Sequence, residues 1–268
     1  MEKLLKTAGM AAIDAGKEII RIYLDPNQDF DIQKKTDNSP LTRADRAAHK
    51  CIVKQLEQTG IPILSEEGTL PPYEVRKEWH RVWLVDPLDG TKEFIKQNGE
   101  FTVNIALRED GKPVGGIIFV PVTGMLYYGH VGVGAWKVKI DASFLSTSPL
   151  EIVRIADKRT IQEQVTEKPF TIVASRSHLS VETEYFIKQM RQKHREVEVI
   201  SSGSSLKMCL VAEGTADVYP RFAPTMEWDT AAGDAIVRAV GGEVVDANTE
   251  LPLTYNKPDL HNPWFIVR

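Results

Sequence analysis

Apolar positions at spacings of three and four open the chain: Leu5, Ala8, Ala12, Ala15, Ile19 and Ile22 fall on one face of a helix. A polar stretch from Asp25 to Pro40, rich in Asp, Lys and Asn, breaks the pattern and reads as a loop or an irregular hairpin. The helical period returns from Thr42 to Gln58, with Ala44, Ala47, Ala48, Cys51, Ile52 and Leu56 turned inward and Gly60 closing the helix. Beyond it the chain predicts strands. Ile61–Leu64 is a short one, and Arg81–Val85 must end or bend at Pro87, which has no N–H to give to a ladder. Phe101, Val103, Ile105 and Leu107 alternate as in a strand with one buried face. Val114–Val120 and Met125–Tyr128 read as a hairpin around Pro121 and Gly124. Two helices followed by an antiparallel sheet make an α+β layout.

The second half alternates instead. Strands are expected at Thr171–Ala174, Glu198–Ile200, Ala216–Tyr219, Glu243–Val245 and Trp264–Val267. Helices are expected at Val181–His194, Leu206–Ala212 and Asp229–Val240, the last closed by Gly241 and Gly242. That is an α/β pattern, so the fold class is mixed α/β and α+β. A boundary is expected near residue 145, inside the Ser-rich stretch Ser143–Ser148, dividing residues 1–145 from 146–268.

With 268 residues and 42% hydrophobic content, the chain can bury a substantial core. Its net charge of −4 argues against nucleic acid as a partner, yet leaves a small anionic substrate open, because bound cations reverse the sign locally. The first apolar segment is interrupted by Asp14 and Lys17 and is not a signal peptide. No run reaches the ~20 apolar residues of a membrane span. Peripheral attachment to the inner face of a membrane stays open, as does the choice between monomer and homodimer. Cys51 and Cys209 are isolated from each other, form no CxxC, and read as two reduced thiols in a cytoplasmic setting.

The chemistry concentrates in VWLVDPLDGTKEF. A strand delivers Asp86 to a chain reversal, Pro87 fixes φ, and Asp89 follows on the same turn. Gly90 lets the backbone approach a ligand, and the N–H groups of Thr91 and Lys92 can meet a phosphate oxygen. Paired carboxylates on a rigid turn suit hard cations, with Asp86 placed to bridge two ions and the Leu88 carbonyl facing the same way. The alternative is a polar turn in which Asp89 only caps a helix. Glu66 and Glu67 end the strand IPIL in LSEEG, where adjacent carboxylates repel unless a cation or solvent separates them. Asp229, in EWDTAAGDAIV, and Asp45, in SPLTRAD, both stand at helix starts, where capping or the macrodipole alone would favour an acid. Lys207 can be a solvated helix residue and Arg221 a surface ion-pair partner, or both can meet an anion.

SEEG, DPLDGT-x-x-F and W-D-T-A-A, in this order and at this spacing, resemble the inositol monophosphatase superfamily of metal-dependent, lithium-sensitive phosphatases. The resemblance covers nearly the whole chain and implies a layered αβαβα sandwich. ASRSH, GSSLKMCLVAEGTADVYPR and EWDTAAGDAI look like its 3′(2′),5′-bisphosphate nucleotidase branch, the CysQ type. That branch removes the 3′-phosphate of adenosine 3′,5′-bisphosphate, a by-product of sulfate assimilation. Position by position, Glu66, Asp86, the Leu88 carbonyl, Asp89 and Asp229 match metal ligands, which implies two or three Mg2+ ions. Asp45 and Thr91, with Glu66, match groups that activate the attacking water. Ser204, Lys207 and Arg221 match positions facing the nucleotide, and His178 matches less closely. GDA after WDTAA departs from several relatives, with no loss of chemistry expected. No His or Cys nucleophile is needed, so no phosphoenzyme is expected. Two other functions stay in view: inositol monophosphatase or fructose-1,6-bisphosphatase activity on the same metal core, and a non-catalytic module binding RNA or a protein partner.

Overall fold

The computed structural model describes residues 1–27, 30–35, 39–140, 152–155, 168–175 and 180–268. Helix α1 (Glu2–Tyr23) buries Leu5, Ala8, Ala12, Ala15, Ile19 and Ile22, the predicted face. The polar stretch that follows holds a two-residue antiparallel ladder, β1 (Gln33–Lys34) with β2 (Pro40–Leu41). Helix α2 (Arg43–Leu56) starts on a reciprocal cap. The Thr42 hydroxyl accepts from the Ala44 N–H at 3.1 Å, and Asp45 Oδ2 accepts from the Thr42 N–H at 2.7 Å. Gly60, at φ 68°, ends the short 3-10 turn that extends it.

Among the described residues, seven strands form the main sheet in chain order. They are β3 (Ile63–Ser65), β4 (Arg81–Asp89), β5 (Thr102–Glu109), β6 (Lys112–Val120), β7 (Met125–His130), β8 (Gly134–Lys139) and β9 (Ile152–Ile155). Only β3 and β4 pair in parallel; the other pairs are antiparallel. The short helices α3 (Tyr73–Arg76) and α4 (Thr91–Ile95) flank β4. The pattern along the chain does not predict β8 or β9. The expected boundary near residue 145 lies outside the described residues.

A second layer pairs β10 (Phe170–Ser175) in parallel with β11 (Val197–Ser202) across α5 (Val181–Lys193). After α6 (Leu206–Ala212) comes β12 (Tyr219–Arg221), and after α7 (Glu227–Ala239) come β13 (Val244–Asp246) and β14 (Phe265–Val267). These three make an antiparallel sheet in the order β12-β14-β13. The strand expected at Ala216–Tyr219 thus starts later; before it, Val218 makes a single parallel bridge to Ile172.

Packing stacks the elements as αβαβα. Helices α1 and α2 cover one face of the main sheet through Ala8, Ile19, Ile52, Val103, Ile105 and Phe119. Helices α6 and α7 fill the space between the sheets, where Met208, Ile236 and Val237 meet Leu84, Ile118, Val244 and Val267. Helix α5 packs outside, Ile187 joining Ile172, Val218 and Ile266. This corrects one expectation. Strand β5 is buried on both faces, because α7 lies on the side where Thr102 and Asn104 point, and both polar residues are fully buried there. Helix α7 comes close to the sheet over Gly116, where a Cβ would overlap the Ala232 carbonyl.

Candidate metal and phosphate site

The β4–β5 register slips between Asp86, opposite Asn104, and Asp89, opposite Thr102, so the expected bend at Pro87 is a bulge that ends β4. Within it the Leu88 N–H donates to Asp86 Oδ1 at 3.0 Å. Gly90, at φ 89°, then reverses the chain into α4, and a side chain there would also press on the Glu100 carbonyl and on Ser204. Strand β3 runs beside β4, and the Glu66 N–H donates to the Val85 carbonyl at 3.0 Å, so Glu66 emerges next to Asp86. Asp229 stands in the first turn of α7, its Oδ2 accepting from the Met226 N–H at 2.8 Å. Glu66, Asp86, Leu88, Asp89, Gly90, Thr91, Ser204, Lys207, Arg221 and Asp229 all line one cleft of about 310 Å3. Asp45 lies buried behind it and accepts from the Thr91 hydroxyl at 3.1 Å. His178 lies outside the described residues.

The carboxylates are under electrostatic strain. Burial pushes the Asp86 carboxyl well above the usual range, and Glu66, Asp89 and Asp229 push it further. Asp229 is raised in the same way, by burial and then by Asp89 and Glu66. Burial raises Glu66 as well, against the pull of Lys35. The Lys35 ammonium, just past β1, sits 2.6 Å from Glu66 Oε1 and also bonds Glu67, supplying the cation that the adjacent pair requires. Despite its burial, the two carboxylates hold its pKa above the ordinary lysine value. Among the described residues no three His, Cys, Asp or Glu side chains close into a ready coordination cage. The donor set nonetheless fits hard cations. It is all oxygen, it is gathered around the buried Asp86, and its mutual repulsion is what a divalent ion relieves.

Comparison with known proteins gives this cleft a setting. The model of the inositol monophosphatase family matches residues 1–264. The chain belongs to the inositol monophosphatase family. It is 44% identical to the 3′(2′),5′-bisphosphate nucleotidase CysQ of Escherichia coli K12 over 96% of each chain. With the Haemophilus influenzae protein of the same name it shares 32% over 99% of this chain and 93% of that one. The crystal structure of CysQ from Bacteroides thetaiotaomicron matches 98% of this chain and 96% of its own at 54% identity, with a TM-score of 0.85. The suhB protein of Bartonella henselae, at 24% identity and a TM-score of 0.73, shares the fold.

Within this family fold, the cationic end of the cleft differs from its bland reading. Lys207 is not a solvated helix residue. It is buried, its Nζ donates to the Ser204 carbonyl at 2.5 Å, and it lies 5.2 Å from the centre of the Tyr219 ring. Burial pulls its pKa down to about 8, against the attraction of Asp89. Arg221 donates to the Pro224 carbonyl at 3.3 Å, and its buried Nε has no hydrogen-bond partner among the described residues. Asp89 is not a helix cap: Gly90 holds that position, and Asp89 Oδ2 accepts from Ser205. Asp45 and Asp229 do brace helix starts, each from the third position of its helix. Sequence reasoning missed Lys35, Thr42, Asn104 and Ser205. A lysine in a polar loop and a serine in SSGSS carry no distinguishing pattern. Asn104 did carry one, as a polar residue inside an otherwise apolar strand.

Proposed function

We propose that this chain hydrolyses the 3′-phosphate of adenosine 3′,5′-bisphosphate to give AMP and phosphate, with 3′-phosphoadenylylsulfate as a second substrate. The observation that carries the proposal is one cleft lined by two unlike kinds of group: carboxylates at Asp86, Asp89 and Asp229, and the cations Lys207 and Arg221. A substrate with two phosphates uses both. The naming of the E. coli and H. influenzae relatives points the same way.

Glu66, Asp86, the Leu88 carbonyl, Asp89 and Asp229 would hold two or three Mg2+ ions. Bound there, such ions supply Lewis-acid activation of water and offset charge on the transferring phosphoryl group. The protein's own groups do the rest. The Thr91 hydroxyl donates to Asp45 at 3.1 Å, which leaves its oxygen lone pairs to accept from the attacking water and orient it. The water oxygen bonds to phosphorus as the bond to the 3′ oxygen breaks, and the proton that the water gives up ends on that oxygen. Lys207, Arg221 and Ser204 hold the 5′-phosphate and set the 3′-phosphate over the carboxylates. Two free thiols, Cys209 buried and Cys51 half-buried, suit a reducing cytoplasm. Among the described residues no helix is long and apolar enough to cross a membrane.

The test is phosphate release from adenosine 3′,5′-bisphosphate by wild type and by Asp89→Asn, with magnesium and with a chelator. Wild type is expected to turn over only with magnesium. Asp89→Asn is expected to lose at least about 10²-fold. Near-normal turnover in chelator, or by Asp89→Asn, would sink the proposal.

A further inference from the structure

Asp89 is oriented by the other half of the chain. Ser205, at the end of the loop joining β11 to α6, gives Asp89 Oδ2 both its backbone N–H, at 2.6 Å, and its hydroxyl, at 2.7 Å. Behind it, Asn104 Nδ2 donates to Ser205 Oγ at 2.6 Å. The amide is turned that way because its Oδ1 accepts from the Thr102 hydroxyl at 2.9 Å. With Asn104 filling an acceptor site of Ser205, the single hydroxyl proton faces two acceptors, Asp89 Oδ2 and the Asp229 carbonyl at 2.9 Å. The charged and shorter acceptor wins. Thr102, Asn104 and Ser205 are all buried, and Asn104 Nδ2 also lies 3.5 Å from Asp89 Oδ2, a long direct contact beside its short bond to Ser205.

We infer that Ser205, set by Asn104, is a positioning residue for Asp89: it fixes the carboxylate for a divalent cation without neutralising it. This rests on the proposed metal role of Asp89. Neutral donors fix an orientation and leave the negative charge available, whereas the Lys35 ammonium on Glu66 offsets charge. The same serine touches the first turn of α7 at Asp229, and its neighbours Ser204 and Lys207 line the cationic end. One side chain therefore ties Asp89 to the element bearing Asp229 and to the loop that faces the far phosphate.

Binding of Mn2+ to the substrate-free protein, followed by electron paramagnetic resonance, tests this in wild type, Ser205→Ala and Asn104→Ala. Ser205→Ala is expected to weaken one class of site by about 10–100-fold, and Asn104→Ala by less. In assays, the magnesium concentration for half-maximal rate is expected to rise by a similar factor, with kcat at saturating magnesium retained within a few-fold. A purely structural role would lower the melting temperature and leave metal affinity of the folded fraction unchanged. Wild-type Mn2+ affinity in folded Ser205→Ala overturns the inference. If that variant does not fold, wild-type affinity in Asn104→Ala overturns it. Absence of Mn2+ binding by wild type would instead remove the metal reading on which it stands.

Discussion

Thr91 reaches two acceptors from one hydroxyl, Asp45 Oδ1 at 3.1 Å and the Leu88 carbonyl at 3.3 Å. Asp45 is itself held by Thr42, through the N–H at 2.7 Å and the hydroxyl at 2.5 Å, so the pair is locked before substrate arrives. Thr91→Ala is expected to lower kcat about 10²-fold or more with little change in KM, because in its proposed role of aligning the attacking water Thr91 acts in the transition state. Thr91→Ser keeps the hydroxyl and should recover most of the rate; steady-state kinetics of both variants check this. On the proposed reading, Lys207→Ala and Arg221→Ala each remove a charge from a desolvated phosphate contact, an expected loss of about 2–5 kcal/mol. That loss is expected in kcat/KM for adenosine 3′,5′-bisphosphate and much less for a substrate with one phosphate. Equal proportional losses on both would place these residues in the support of the fold. The carboxylates were legible in the sequence because DPLDG packs strand end, bend and turn into one contiguous string. Lys35 was not, since it meets Glu66 and Glu67 only after the β1–β2 ladder folds back.

Helix α7 carries Asp229, and its seat on the sheet has two separate supports. Gly116→Ala would drive a Cβ into the Ala232 carbonyl, backbone against backbone, with no flexible side chain to yield. A loss of about 1–3 kcal/mol is expected in denaturant unfolding, of the order that overpacking costs. Farther along the helix, Asp234 is fully buried with Arg238 and with the Tyr255 hydroxyl at 2.9 Å. Burial nevertheless pushes its carboxyl up to about 6, against the opposing pull of Arg238 and Tyr255. The folded chain then keeps a proton that the unfolded chain has already lost. Stability from this group is full below about pH 4 and falls as pH rises through 6, by about 3 kcal/mol in all. The stability of wild type relative to Asp234→Asn should therefore drop between pH 4 and pH 7; a constant difference would contradict it. Elements with strong periodicity, α1, α2 and the β6–β7 hairpin, were readable in the chain. Strand β5 was read with one wet face because alternation reports polarity, and Thr102 and Asn104 are polar residues satisfied inside the protein.

Over the whole molecule, Glu66, Asp86, Leu88 and Asp89 come from the tip of β3 and the turn that ends β4, while Asp229, Lys207 and Arg221 come from the second half. Hydrophobic periodicity gave most elements of both halves, though not β8 or β9, and not their stacking; the layered sandwich followed from the family motifs. On the proposed reading the carboxylates act on the phosphate being cleaved and the cations on the phosphate retained, so selectivity belongs to the cleft as a unit. Inositol 1-phosphate would use the carboxylates and leave Lys207 and Arg221 without a second phosphate to meet. A panel of adenosine 3′,5′-bisphosphate, inositol 1-phosphate and fructose 1,6-bisphosphate, assayed for phosphate release with magnesium, separates the readings by kcat/KM. The nucleotide is expected to lead each of the others by at least about tenfold, equivalent to 1.4 kcal/mol, with AMP as its product. A higher kcat/KM on inositol 1-phosphate or fructose 1,6-bisphosphate, or adenosine 3′-monophosphate formed in place of adenosine 5′-monophosphate, would contradict it.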